Sequence, residues 1–136
     1  METMRVTPAG GGDRFAIALR GHEIMVDQPA DVGGTDLGPT PTELFVAGLV
    51  SCVAVYAGRF LARHGVCAEG LHVDAEWEMG EGSPARVGCV TIRITAPPAL
   101  PASRLPALLA VSRACTVHNS LARSPAVHID LAATRV

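Results

Sequence analysis

The strongest constraint on this chain is one helix whose two ends are marked and whose body lacks a polar face. Residues 40–43 (Thr-Pro-Thr-Glu) place a capping threonine before a proline at the first helical position and a glutamate at the third. Gly65 is the matching C-terminal stop. The spacing predicts a helix over residues 41 to about 64. Within it, residues 44–58 (LFVAGLVSCVAVYAG) are apolar on nearly every face. A helix that is apolar all round is buried all round. In a chain of 136 residues, that much burial predicts a partner subunit over one face. The apolar run is 15 residues long and is followed by Arg59 and Arg63, short of the ~20 residues that span a bilayer.

The segments on either side read as strands and short helices. Residues 4–7 form a short strand, and Gly10-Gly11-Gly12-Asp13 is a turn. Residues 14–19 and 22–27 have strand length and strand patterning, with a tight connection at Gly21. Residues 28–40 carry Pro29, Gly33, Gly34, Gly38 and Pro39 and form a loop long enough to point to a function. Residues 71–79 alternate as a strand with one solvent face, and residues 85–96 are its hairpin partner. Prolines 97, 98 and 101 break the chain. Residues 103–113 and 115–122 then read as two helices, and residues 126–134 as a last strand. The order β-β-β-α-β-β-α-α-β predicts a single α+β domain over residues 1–136, not a parallel α/β sheet.

Composition narrows the functions. At 49% hydrophobic and 18% charged residues, the chain can build a real core. A net charge of −2 without a basic stretch argues against nucleic-acid binding. All eleven basic residues are arginine, so Schiff-base chemistry and a phosphate-loop lysine are excluded. Any cation in a site must be an arginine, permanently charged and forked. The first residues, METMRVTPAGGG, do not read as a signal peptide. A cytoplasmic location is the expectation, where Cys52, Cys67, Cys89 and Cys115 rest as thiols and any disulfide is transient.

Two of these cysteines can carry chemistry. Cys52 lies mid-helix, with Tyr56 one turn on, Arg59 two turns on and Gly48 one turn back. Arg59 would sit about 10 Å along the axis, from a rise of ~1.5 Å per residue, and lean back toward the thiol. Cys52 is thus either a thiolate supported by positive charge or a small buried hydrophobe. Cys115 opens a short helix, where the dipole and free N–H groups stabilise a thiolate, or it packs as a small residue. Cys67 and Cys89 read as incidental. Cys115 and His118 form a close pair of metal-type ligands, but two are too few for zinc, so neither a metal nor a cofactor is expected. Glu43 reads first as a helix cap.

GPTPTELFVAGLVSC (residues 38–52), CTVHNSL (residues 115–121) and RGHEIMVDQP (residues 20–29) followed by GGTDLGP together resemble the OsmC/Ohr family of thiol-dependent hydroperoxide reductases. They are most similar to its OsmC-like subgroup, and the element order agrees along essentially the whole chain. The resemblance implies an OsmC-like fold, with antiparallel sheets packed around long central helices in an intertwined homodimer. It implies an organic hydroperoxide as substrate, with Cys52 as the attacking thiolate and Cys115 as its disulfide partner. A small dithiol would be the reductant. It also implies an arginine from the N-terminal region reaching across the dimer, here Arg14 in preference to Arg20, held by a helix glutamate. The chain departs from the family at three points. Thr42 stands where the orienting glutamate falls, Glu43 matches the neighbouring glutamate, and His118 replaces a serine. Those departures keep open a non-catalytic dimer that binds a small ligand or senses redox state.

Overall fold

A computed structural model describes residues 1–133. Its packing divides the chain into two compact units. The first comprises residues 1–48 and 75–91, and the second residues 49–74 and the chain from residue 92 on.

The first unit holds a three-stranded antiparallel meander of β1 (Arg5–Pro8), β2 (Phe15–Leu19) and β3 (His22–Val26). Register runs from Arg5 opposite Ala18 to Pro8 opposite Phe15, and from Phe15 opposite Val26 to Leu19 opposite His22. The β2–β3 turn has two residues, Arg20 and Gly21, with φ of 48° and 76°. Two left-handed residues match the twist of a two-residue hairpin, which is why a glycine is needed there. After β3, the loop of residues 28–40 contains one 3-10 turn, Ala30–Val32.

The long helix α1 covers Pro41–Arg63, as its punctuation predicts. The Thr40 N–H donates to Glu43 Oε1 (2.9 Å), and the Glu43 N–H donates to Thr40 Oγ1 (3.0 Å). This is a reciprocal capping box. At the other end Gly65 takes φ of 66°, and the Val66 N–H returns to the Leu61 carbonyl. One stripe is buried: Val46, Leu49, Val53, Ala57, Phe60 and Leu61, spaced at three and four residues. The expectation of burial on every face is corrected here. Phe45 and Val55 are about half exposed, because a single chain brings packing to one side of α1.

In the second unit Ala57, Phe60 and Leu61 close a core with Leu100 and Leu108, with Val66, Leu71, Ile94, Ala96 and Val111 packed around it. Strands β4 (His72–Met79) and β5 (Val87–Thr95) pair as a two-stranded sheet. A 3-10 turn, Ala102–Arg104, leads into α2 (Leu105–Arg113), and α3 (Thr116–Ala122) follows after a two-residue break. The predicted last strand is a correction. Residues 126–133 form no strand, and Val127, Ile129 and Leu131 are 75%, 91% and 97% exposed. A strand exists only against a neighbouring edge, and this segment meets none among the described residues. Thr134 of that expected strand lies outside the described residues. The fold is α+β with antiparallel sheets, as expected.

Candidate active site

Cys52 and Cys115 come together in the second unit. Cys52 is half-buried at the middle of α1, and Cys115 is fully buried at the N-cap of α3. The Cys115 thiol neighbours Cys52, near enough for Cys52 to raise its proton affinity, and both are free thiols.

The backbone around Cys115 explains its position. The helical chain stops at Ala114 and restarts at Thr116, with Cys115 extended at φ −67°, ψ 150°. Two side chains from α3 reach back over this break. His118 Nδ1–H donates to the Arg113 carbonyl (2.6 Å), and Asn119 Nδ2 donates to the Ala114 carbonyl (3.1 Å). Carbonyls orphaned by the end of α2 thereby find donors. The Cys115 sulfur itself caps α3, accepting from the His118 N–H at 3.4 Å. From the α2 side, the buried Ser112 hydroxyl donates to the Leu108 carbonyl at 2.8 Å.

From the sequence, Cys115 is either a thiolate stabilised by a helix start or a packed small residue. Its burial in the structure supports the second. Burial pushes the Cys115 thiol up, and the neighbouring Cys52 adds to the rise. The N–H groups of His118 and Val117 pull the other way without overcoming it. Desolvation penalises a thiolate more than these weak N–H···S contacts favour it. Cys115 is therefore a thiol at neutral pH.

The cations stand as follows. Arg59 places its guanidinium 5.7 Å from the centre of the Tyr56 ring. Arg14, in the first unit, is turned onto its own loop: Nε donates to the Ala9 carbonyl (2.7 Å) and a terminal nitrogen to the Gly10 carbonyl (3.2 Å). Glu43, also in the first unit, is engaged in the helix cap. The structure thus brings together two of the four predicted site residues and gives Arg14 and Glu43 local partners. Cys67 and Cys89 are exposed.

One contact escaped the sequence reading. The Tyr56 hydroxyl lies 2.8 Å from Thr116 Oγ1. A signal was present: Tyr56 is the only tyrosine of the chain, set in an apolar helix one turn after Cys52, and a packed phenol seeks a polar partner.

Known proteins place this arrangement in context. No protein of curated function matches the sequence. Among solved structures, a Psychrobacter arcticus protein named for osmotic stress induction and a detoxification response is 26% identical, with a TM-score of 0.77 and 88% of each chain covered. An organic hydroperoxide resistance protein OsmC from Legionella pneumophila is 17% identical, with a TM-score of 0.62, covering 89% of this chain and 88% of that one. A Vibrio cholerae structure titled as an organic hydroperoxide resistance protein, with captopril in one active site, is 18% identical, with a TM-score of 0.64. It covers 88% of this chain and 83% of the other. The two more distant likenesses carry the fold alone. The family profile described as OsmC-like protein matches residues 34–130, a span that contains both cysteines, and the chain belongs to the OsmC-like family.

Proposed function

We propose that this chain is a thiol-dependent peroxidase that reduces organic hydroperoxides and protects against oxidative stress. The observation that carries the reading is the proximity of the Cys52 and Cys115 thiols. The Cys52 thiolate attacks the outer peroxide oxygen and becomes a sulfenic acid, releasing an alcohol. The Cys115 sulfur then displaces the sulfenic oxygen as water, leaving a Cys52–Cys115 disulfide. A small dithiol returns both thiols by exchange and leaves as its own disulfide. The raised pKa of Cys115 suits the waiting role, because a thiol does not compete for peroxide.

The working form is an intertwined homodimer of single-domain subunits, located in the cytoplasm. The half-exposed Phe45 and Val55 and the bare alternation of Val127, Ile129 and Leu131 support a second copy covering them. By length and composition α1 could also cross a membrane. Its stripe of buried residues, shared with Leu100 and Leu108, supports the role of a core helix instead. Positive charge at Cys52 is assigned to Arg14 of the second copy, held by Glu43, which requires Arg14 to exchange its contacts with Ala9 and Gly10.

The engagement of Arg14 and Glu43 in local hydrogen bonds favours one alternative, a dimer that binds a small ligand or senses redox state without turnover. One experiment separates the two. The reduced protein receives one equivalent of cumene hydroperoxide, followed by intact-mass and peptide mapping. Loss of two hydrogens at Cys52–Cys115 within seconds is the expected result. Unchanged thiols over minutes would leave the alternative standing.

A further inference from the structure

We propose that Tyr56 and Thr116 form a clasp that positions Cys115 against Cys52. Four residues from two elements make two parallel rungs. Cys52 and Tyr56 lie one turn apart on the same face of α1. Cys115 and Thr116 are adjacent at the start of α3. One rung is the pair of neighbouring thiols, and the other is the 2.8 Å hydroxyl contact. A helix of seven residues following a two-residue break has little of its own to fix its start. The His118 and Asn119 bonds tie that start to α2 but not to α1. The phenol ties α1 to α3 by a polar contact. It is steadied in turn by the Arg59 guanidinium over its ring, within the ~6 Å range of cation–π attraction.

The clasp deepens the peroxidase reading and rests on it only for its use in peroxide turnover. Its physical content is an effective concentration, the advantage of Cys115 over a free thiol in reaching the Cys52 sulfur. That quantity is measurable without peroxide. Glutathione disulfide reacts with the Cys52 thiol, forming a mixed disulfide and one glutathione thiol. Cys115 then displaces the second glutathione thiol and closes the ring. In sum, two protein thiols are oxidised and one glutathione disulfide is reduced to two thiols.

The wild type, Tyr56→Phe, Thr116→Val and Thr116→Ser are equilibrated in glutathione buffers, quenched with acid and mapped for the Cys52–Cys115 disulfide. The closure constant is expected to fall about five- to ten-fold in Tyr56→Phe and Thr116→Val, the worth of one net hydrogen bond. Thr116→Ser, which keeps the hydroxyl, is expected to stay within about two-fold of wild type. A general loss of packing would not distinguish serine from valine in this way. Thr116 is exposed, so its variants decide the matter if Tyr56→Phe folds poorly. Equal constants in the wild type, Tyr56→Phe and Thr116→Val would overturn the clasp, as would a wild type that forms no ring disulfide. A wild type that closes with glutathione but ignores cumene hydroperoxide would sink the peroxidase reading while the clasp is still judged by its variants.

Discussion

Asp27 and Cys115 are both sealed from solvent, at 1% and 0% exposure, yet their proton affinities move in opposite directions. The Asp27 carboxyl is held down to about 2 from 3.8. The Thr35 hydroxyl (2.6 Å) is the largest cause, and the N–H groups of Leu37, Gln28 and Thr35 add to it against the cost of burial. Cys115 accepts from the His118 N–H at 3.4 Å, the Val117 N–H adds a weaker pull, and burial still pushes its thiol up. Equal burial therefore does not mean equal electrostatics. Four donors aimed at a compact anion outweigh desolvation, whereas two weak N–H groups at a diffuse sulfur do not. The first arrangement builds a loop and the second stores a thiol.

The largest effect should come from deleting each group. Asp27→Ala strands four donors, from Gln28, Thr35 (twice) and Leu37, so it should markedly lower the urea midpoint. Cys115→Ala strands only weak N–H contacts and leaves a small cavity, so it should cost about 1–2 kcal/mol. Equal losses in the two variants would break the contrast.

The next effect is kinetic. Because Cys115 titrates above the ordinary cysteine range, disulfide closure should accelerate about ten-fold per pH unit through neutrality, following its thiolate fraction. Stopped-flow rates of closure, taken from preformed sulfenic acid, read this directly. A flat profile from pH 6 to 8 would mean that burial does not govern the thiol.

At acid pH the loop should respond instead. A carboxyl depressed in the folded state contributes stability that is complete above its unfolded pKa of 3.8 and disappears as pH falls toward about 2. Amide-exchange protection of Thr35 and Leu37 should fade in that window while α1 stays protected. Loss at pH 5 or above would point to another group. The smallest effect is local: Thr35→Val removes the leading donor, so the Asp27 pKa should rise part of the way toward 3.8 in an NMR titration.

Legibility from sequence followed the range of each interaction. The capping box of α1, its stop at Gly65 and the turn at Gly21 were readable because each is closed by residues a few positions apart. Both cysteines were readable as candidates from their segments. The clasp and the direction of the Cys115 shift were not, since both depend on which residues of α1 meet α3. The last strand was misread because alternation in residues 126–134 records a face awaiting a neighbour, not the neighbour itself.

By itself, then, the sequence determined where the helix begins and ends, which residues could carry charge, and that two cysteines stand in reactive-looking segments. These properties arise from backbone caps, side-chain chemistry and short-range spacing, which the chain carries before it folds. Tertiary structure alone decided that Cys115 is the more deeply buried thiol and that Tyr56 reaches Thr116. The physical reason is that burial and contact sum over residues distant in the chain, so no local pattern can specify their balance.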